Sequence, residues 1–145
     1  MKGYRIRDYR PADYGEVARL WEITGMGNPE RGDDKKTIEQ CLELGGKLLI
    51  LEDKDSGIIA GSSWMTWDGR RLYLHHFGIL PEYQGRGLAD YLLEETLDYV
   101  RSKGYQVKLE VHRTNEPAVN LYEKHGFNYL GDYLVYIIRN TVDIK

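Results

Sequence analysis

Hydrophobic and polar residues follow two different periods along this chain, and the change of period predicts where strands and helices lie. Alternation at every second residue is typical of a half-buried strand, whereas apolar residues three and four positions apart are typical of an amphipathic helix. The strand pattern, or a short apolar run between turn residues, occurs at 4–9, 48–52, 58–66, 72–79, 106–112, 127–130 and 133–138. The last two segments flank Gly131 and Asp132 and predict a closing hairpin.

Helical spacing predicts four helices in the remaining segments, with capping or turn residues at their ends. Pro11 and Asp13 open the first helix, and the others begin at Asp33 or Asp34, at Leu88 and at Pro117. The last three end at Gly45-Gly46, near Gly104 and at Gly126.

The order of these elements predicts the fold class. Two helices near the start precede a run of strands, and then come strand, helix, strand, helix and strand. We therefore predict an α/β (α+β) fold, a three-layer α/β/α sandwich around a mixed, mostly antiparallel sheet. The chain of 145 residues has the length of one domain, and no linker or repeat divides it. Residues 1–145 are thus predicted to form a single domain.

The turn between the strand at 72–79 and the third helix carries a chemical signal. It has the sequence LPEYQGRGLA at residues 80–89. The first N–H groups of a helix have no partner within the helix and lie at the positive end of its dipole. Gly85 and Gly87 would let a ligand approach the backbone, and Arg86 adds a positive charge. The turn is therefore a candidate site for a phosphate or pyrophosphate.

Two glycines in a turn are not specific by themselves, and a turn without a ligand is the alternative. The spacing lacks the Gly-x-Gly-x-x-Gly of dinucleotide-binding folds and the Lys-Ser/Thr ending of a P-loop. A dehydrogenase or a nucleotide triphosphatase is therefore disfavoured.

Composition narrows the classes of partner. The net charge is −3 and there is no dense basic patch, which argues against nucleic acid. No apolar run has the length of a membrane span, and the first residues do not resemble a secretory signal. The single cysteine, Cys41, excludes an internal disulfide and fits a reducing compartment. A cytoplasmic protein without membrane or nucleic-acid partners is expected.

Glu110 is the most informative ionisable residue. Strand parity places Glu110 and Lys108 on the face opposite to Val107 and Leu109. A carboxylate on an interior strand needs a partner or a wet cleft. Glu110 is therefore either in an ion pair, with Lys108 or an arginine, or a cleft residue.

Other polar residues have simple structural interpretations. Tyr122 lies on the inward stripe of the fourth helix, and Asn115 precedes that helix as a cap. His75 and His76 are adjacent on a strand, so they are expected to face opposite sides and to share no ion. No metal signature occurs, and Cys41 on an apolar stripe is interpreted as a core residue.

These residues together resemble the GCN5-related N-acetyltransferase (GNAT) family. The run FGILPEYQGRGLA at 77–89 resembles the family's acyl-CoA motif, with its Arg/Gln-x-x-Gly-x-Gly/Ala signature. The run LEV at 109–111, followed by Asn115, Ala118 and LYEKHGF at 121–127, resembles the next motif. The resemblance covers nearly the whole chain. It implies a fold of the acyl-CoA N-acyltransferase type, with acetyl-CoA as co-substrate and no metal.

The resemblance also implies binding roles. The turn would hold the CoA pyrophosphate on its backbone N–H groups, and the residues concerned are Gln84, Gly85, Arg86, Gly87, Leu88, Ala89 and Asp90. The backbone of Phe77, Gly78 and Ile79 would pair with the pantetheine arm, on a strand that in this family carries a bulge and splays from its neighbour. Asn115 would contact the same arm.

Catalytic roles follow in the same way. Tyr122 would be the general acid that protonates the leaving thiolate, and Glu110 would be the general base. The implied function is direct transfer of an acetyl group to a primary amine, either a small molecule or a peptide N-terminus or lysine. The alternative is a non-catalytic acyl-CoA-binding or regulatory module on the same fold. The aromatic tail, with Tyr133 and Tyr136, is a candidate contact for a possible homodimer.

Overall fold

The computed structural model describes residues 1–145, and these form two compact units, Met1–His112 and Arg113–Lys145. The strands of the first unit are β1 (Tyr4–Asp8), β2 (Lys47–Asp53), β3 (Ile59–Trp67), β4 (Arg71–Ile79) and β5 (Gln106–Leu109). Its helices are α1 (Tyr14–Thr24), α2 (Lys35–Glu43) and α3 (Leu88–Lys103). The second unit contains α4 (Glu116–Lys124). A single domain over the whole chain stays a prediction.

The five strands of the first unit form one mixed sheet. Their order is β1-β2-β3-β4-β5, and each of the first four strands is antiparallel to its neighbours in that run. β5 is parallel to β4, and α3 makes the crossover that a parallel pair requires. The prediction of a mixed, mostly antiparallel sheet is therefore confirmed.

Two consecutive serines of β3 show that helices cover both faces of the sheet. Ser62 accepts a hydrogen bond from the indole Nε1 of Trp21 on α1, at 2.9 Å. The hydroxyl of Ser63 lies 2.7 Å from the hydroxyl of Thr96 on α3. Neighbouring residues of a strand point to opposite faces. α1 and α3 thus lie on opposite sides of the sheet, which confirms the predicted three-layer sandwich.

Local sequence signals explain where the helices begin and end. Asp34, and not Asp33, caps α2, because its Oδ1 accepts the Thr37 N–H at 2.8 Å. Gly104 ends α3 in the left-handed conformation, with φ +71. Val17 and Trp21 on the inward stripe of α1 are fully buried. None of the helices has the length and apolar content that crossing a membrane requires.

Two predicted strand segments differ from the structure. β5 ends at Leu109, so Glu110 lies just beyond the strand and not within it. The predicted closing hairpin is also wrong, because residues 127–139 contain no strand. At the tip of the predicted hairpin, the Tyr133 N–H donates a hydrogen bond to the Gly131 carbonyl oxygen, at 2.9 Å. Two short strands have little stability without a third strand or a covering helix, and alternation alone does not supply one.

Candidate active site

The turn between β4 and α3 has the backbone geometry of an anion site. Gly85 and Gly87 both adopt φ +77, in the left-handed region that favours glycine. Gly87 immediately precedes α3, and no side chain caps the helix there. A Cβ atom at either glycine would meet no other heavy atom within 4 Å. An uncapped helix start behind two glycines with open space at their Cβ positions fits a phosphate or pyrophosphate.

The other residues predicted for this turn have mixed positions. The Nε2 of Gln84 donates to the carbonyl oxygen of Ile79 at 2.9 Å, which ties the turn to the end of β4. Leu88 is 1% exposed and belongs to the core, and Ala89 packs against it. Asp90 lies in the first turn of α3. Leu88 and Ala89 therefore offer backbone groups to a ligand, while their side chains pack inward.

Arg86 braces the turn with its guanidinium group. Its Nη1 donates to the Tyr4 hydroxyl at 3.0 Å, and its Nη2 donates to the Glu82 carbonyl at 2.8 Å. The group also lies over the Tyr83 ring, 5.1 Å from its centroid. The expected fixed charge is therefore engaged with β1 and the preceding turn.

β4 separates from β5 beside this turn. The two strands pair only from Arg71 to Leu74, whereas β4 continues to Ile79. Phe77, Gly78 and Ile79 thus lie beyond the last residue that β5 pairs. A separation of these strands is what the family resemblance implies, and it was not visible in the sequence.

A bulge in β4 is held by buried hydrogen bonds. The register with β3 shifts between Ser62 and Trp64, and His76 is the one non-glycine residue with a positive φ, +48. The Ser62 hydroxyl donates to the carbonyl oxygen of His76 at 2.7 Å, while it accepts from Trp21. Strained backbone persists only where its surroundings hold it. The Trp21–Ser62 pair supplies that restraint.

The side chains of His75 and His76 come together, which corrects the prediction that they face opposite sides. Their Nδ1 atoms lie 2.5 Å apart. Both rings contact Trp64, with centroid separations of 4.5 and 5.0 Å. Strict alternation holds only in a regular strand, and the left-handed backbone at His76 interrupts it.

Asp33, from the segment between α1 and α2, extends this pair. Its Oδ1 lies 3.2 Å from Nε2 of His76, and its Oδ2 accepts the Asn28 N–H at 2.8 Å. Burial lowers the pKa of His75 to about 3, and burial also lowers the pKa of His76. Both imidazole rings are therefore neutral at neutral pH.

A cavity of about 240 Å³ lies in the same segment. Its lining residues are Gly25, Met26, Gly27, Asn28, Arg31 and Asp33. The side chain of Met26 covers Gly78 of β4, since a Cβ there would lie 2.7 Å from the Met26 Cε. The cavity thus lies next to the bulged half of β4.

Glu110 is hydrogen-bonded to the hydroxyl of Tyr73 on β4. Tyr73 thus gives Glu110 a neutral partner, and the ion pair and the cleft both remain alternatives for Glu110. Burial and this carboxylate raise the pKa of Tyr73 to about 12, so the phenol stays protonated and donates a hydrogen bond to Glu110. The Tyr73 ring lies 5.6 Å from the ring of His75.

Asn115 and Tyr122 belong to the second unit. The Oδ1 of Asn115 accepts the Ala118 N–H at 3.4 Å, which is the predicted helix cap. The Tyr122 ring packs edge-on against Phe127, with centroids 5.6 Å apart. Burial raises the pKa of Tyr122 to about 12.

Cys41 packs against the core, as predicted. Its Sγ accepts a hydrogen bond from the Trp64 indole at 3.2 Å, and burial raises the pKa of the thiol. A thiol in this environment is a poor nucleophile. No three His, Cys, Asp or Glu side chains are arranged to hold a metal ion.

Sequence reasoning missed the line of Asp33, His76 and His75. Asp33 is 42 residues before His75 in the chain, and only the bulge brings both rings to one face. The only sign of this cluster in the sequence is the pair of adjacent histidines, and strand alternation wrongly predicts that their rings face opposite sides of the sheet.

Comparison with known proteins places these features in a family. Residues 16–127 match the model of the acetyltransferase (GNAT) family. An acetyltransferase from Streptococcus agalactiae aligns with a TM-score of 0.75 and 19% identity, over 95% of this chain and 93% of that one. The ribosomal-protein-S18-alanine N-acetyltransferase from Escherichia coli aligns with a TM-score of 0.73 and 23% identity, over 86% and 77%. Glucosamine-6-phosphate N-acetyltransferase from Arabidopsis thaliana aligns with a TM-score of 0.71 and 20% identity, over 92% and 97%. At these identities the structural likeness shows the fold.

Proposed function

Because this chain belongs to the GNAT family of acetyltransferases, we propose that it transfers the acetyl group of acetyl-CoA directly to a primary amine. The observation that carries the proposal is the uncapped start of α3 behind Gly85 and Gly87, with open space in front of both glycines. A pyrophosphate needs such a cluster of backbone donors. The alternative is an acyl-CoA-binding or regulatory module without catalysis.

The proposed co-substrate site uses backbone groups at both ends of the turn. The N–H groups of residues 85–90 bind the pyrophosphate, and Gln84 and Arg86 hold their loop in position through the contacts with Ile79 and Tyr4. The backbone of Phe77, Gly78 and Ile79 pairs with the pantetheine arm, in the stretch where β5 no longer pairs with β4. Asn115 contributes a further contact to this arm.

The proposed chemistry needs a base, an oxyanion donor and an acid. Bound acetyl-CoA supplies the acetyl group as a thioester. Glu110 removes the proton of the ammonium group, since a protonated amine cannot attack. A backbone N–H near Ile79 stabilises the developing oxyanion. Tyr122 donates its phenolic proton to the leaving thiolate as the C–S bond breaks, and the second proton that the nitrogen loses after attack restores the phenol.

The acceptor is proposed as a cationic amine, because Asp33 lines the cavity beside β4 and Glu22 lies near the end of α1. The similar protein from Escherichia coli is named for an alanine of ribosomal protein S18, and the one from Arabidopsis for glucosamine-6-phosphate. A peptide N-terminus and a small-molecule amine are therefore the two classes of acceptor to test.

A cytoplasmic location is proposed as well, because a single cysteine fits a reducing compartment. A homodimer through Tyr133 and Tyr136 is also proposed, since both side chains are more than 80% exposed. Analytical ultracentrifugation would measure the mass of the assembly in solution and test it.

Calorimetric titration of acetyl-CoA tests the binding site. Gly87→Glu places bulk and negative charge where the pyrophosphate is proposed, and we expect it to abolish binding. Gly104→Glu is the matched control, since Gly104 has a similar φ of +71, faces open space and lies at the other end of α3. Both variants carry the same backbone strain, so only a loss confined to Gly87→Glu supports the proposal. Absence of binding to the parent protein would overturn it.

Free-thiol release with a panel of amines separates the enzyme from the binding module. The enzyme releases CoA in proportion to the acetylated amine. Binding of acetyl-CoA without release for any member of a panel that includes peptide N-termini, lysine side chains and amino sugars would favour the non-catalytic module.

A further inference from the structure

Polar atoms form a continuous line from the split in the sheet to the cavity beside α1. The Nδ1 atoms of His75 and His76 lie 2.5 Å apart, and Nε2 of His76 lies 3.2 Å from Oδ1 of Asp33. Asp33 lines the cavity, and its side chain is 19% exposed. At the other end, His75 is the first residue of β4 beyond the part that β5 pairs.

The contacts of this line assign the tautomers of both rings. Nε2 of His76 is buried, and Oδ1 of Asp33 lies 3.2 Å from it. A buried nitrogen beside a carboxylate is stabilised by carrying the proton. His76 is then neutral with its Nδ1 as an acceptor, so Nδ1 of His75 must donate across the 2.5 Å contact. Nε2 of His75 is left with a free lone pair.

We propose that His75, His76 and Asp33 form a proton relay, in which His75 accepts the proton of the acceptor amine and His76 passes the positive charge on to Asp33. The relay rests on the proposed acetyl transfer and makes His75 the alternative to Glu110 as the acceptor of the ammonium proton. His75 is its catalytic residue, and His76 and Asp33 are positioning residues that act through it.

The proton steps balance without any other reactant. The ammonium proton moves to Nε2 of His75, the Nδ1 proton of His75 moves to Nδ1 of His76, and the Nε2 proton of His76 moves to Oδ1 of Asp33. Both rings exchange tautomer and end neutral, while the charges of the ammonium group and of Asp33 cancel. After the product leaves, the reverse exchange returns the proton to Nε2 of His75, from which it passes to solvent.

The surroundings of the two rings favour a relay over a stable imidazolium. Trp64 packs on both rings, and Trp21 lies 4.5 Å from the ring of His76. The burial that lowers the pKa of both histidines makes a resident positive charge costly there. A concerted exchange avoids that charge, because neither ring holds two protons at the end.

The left-handed backbone at His76 brings the rings of His75 and His76 together. A left-handed residue that is not glycine costs about 1–3 kcal/mol, and such residues cluster at functional sites. Without the bulge the two rings would lie on opposite faces of β4. The left-handed conformation at His76 therefore accounts for the contact between His75 and His76.

Nitrogen-15 NMR of the histidine side chains tests the relay without any turnover. We expect His75 to carry its proton on Nδ1 and His76 on Nε2 in the free protein, with signals assigned through His75→Asn and His76→Asn. In Asp33→Asn the carboxylate charge is lost, so the preference of His76 for Nε2–H should weaken. A proton on Nε2 of His75 in the parent protein would overturn the relay.

Kinetics with acetyl-CoA and an amine acceptor provide the second test. Asp33→Asn should lower kcat about 100-fold, which is within the usual range for general base catalysis, with the Kd of acetyl-CoA unchanged. Glu43→Gln, at an exposed carboxylate near the end of α2, is the matched control and should behave as the parent. Parental turnover in Asp33→Asn, with the parental tautomers retained, would refute the relay. A failure of acetyl-CoA to bind would instead refute the proposed function, because the tautomers do not depend on it.

Discussion

The indole Nε1 of Trp21 donates a hydrogen bond of 2.9 Å to the hydroxyl of Ser62, across the buried contact between α1 and the sheet. The Ser62 hydroxyl in turn donates a hydrogen bond to the carbonyl oxygen of His76, at 2.7 Å. Both Trp21 and Ser62 are almost completely buried. One hydroxyl thus joins a helix, a central strand and the bulge that shapes the candidate site.

Replacement of Ser62 by alanine should destabilise the fold and relax the bulge. The change leaves the buried Trp21 N–H without a partner, which costs about 1–3 kcal/mol. Urea denaturation measures the free energy of unfolding, and the histidine side-chain NMR signals report on the bulge. Ser63→Ala is the control, because Ser63 bonds Thr96 on the opposite face. Ser63→Ala should also lose stability but leave the NMR signals of His75 and His76 unchanged. Equal changes in these signals in the two variants would contradict a specific role of Ser62 in holding the bulge.

Replacement of Tyr122 by phenylalanine should lower kcat about 10–100-fold while the Kd of acetyl-CoA stays the same. The packing against Phe127 is kept, and only the hydroxyl is lost. Tyr129→Phe, at a tyrosine that is 83% exposed in the same unit, is the control. Equal turnover in Tyr122→Phe and the parent would remove Tyr122 from the role of acid.

The pH dependence of kcat gives an independent check on Tyr122. A general acid must carry its proton, and burial raises the pKa of Tyr122 from its ordinary value to about 12. The phenol therefore stays protonated well above neutral pH. We expect no alkaline loss of kcat from this group between about pH 7 and pH 10. A loss in that range that disappears in Tyr122→Phe would contradict the assigned environment.

Replacement of Glu110 by glutamine should reduce kcat and alter the acidic side of the pH–rate profile, because the amide cannot accept a proton. Tyr73→Phe removes the hydroxyl that donates to Glu110 but keeps the carboxylate, so it should retain more turnover. An unchanged profile in Glu110→Gln would transfer the role of base to His75.

The ion pairs of Arg7 should make the fold sensitive to acid. Arg7 donates to both oxygens of Asp13, at 2.8 and 2.9 Å, and to Glu52 at 2.6 Å. These bonds lower the pKa of both carboxyl groups in the folded state. A lowered pKa contributes stability that is present above the unfolded value and is lost as the pH falls through the folded value. We therefore expect the stabilisation to fade below about pH 4.

Arg7→Met tests this prediction by urea denaturation at about pH 7 and about pH 3. The variant should lose about 1–3 kcal/mol at the higher pH, and the difference from the parent should shrink at the lower pH. Arg5→Met is the control, since the Arg5 side chain is 52% exposed and makes one contact with Glu52. A constant difference at both pH values would show that the carboxylates are not the cause.

The helices and four of the five strands followed from local patterns. The stripe of α1, the cap at Asp34 and the glycine at the end of α3 each act within a few residues. The early end of β5 and the absence of the closing hairpin could not be predicted from local patterns, because the length of a strand depends on which neighbouring strand offers hydrogen bonds. Alternation marks a segment that can pair, but it does not say how far pairing extends.

The sequence by itself determined the turn at 80–89, because glycine is the residue that adopts φ +77 without strain and the first turn of any helix leaves its N–H groups unpaired. Only the tertiary structure decided the line of His75, His76 and Asp33. It depends on the bond between Trp21 and Ser62, which are 41 residues apart. That bond holds a backbone conformation that no local preference of histidine would select. Local chemistry can therefore be inferred from neighbours in the chain, whereas a contact between distant residues exists only once the fold has formed.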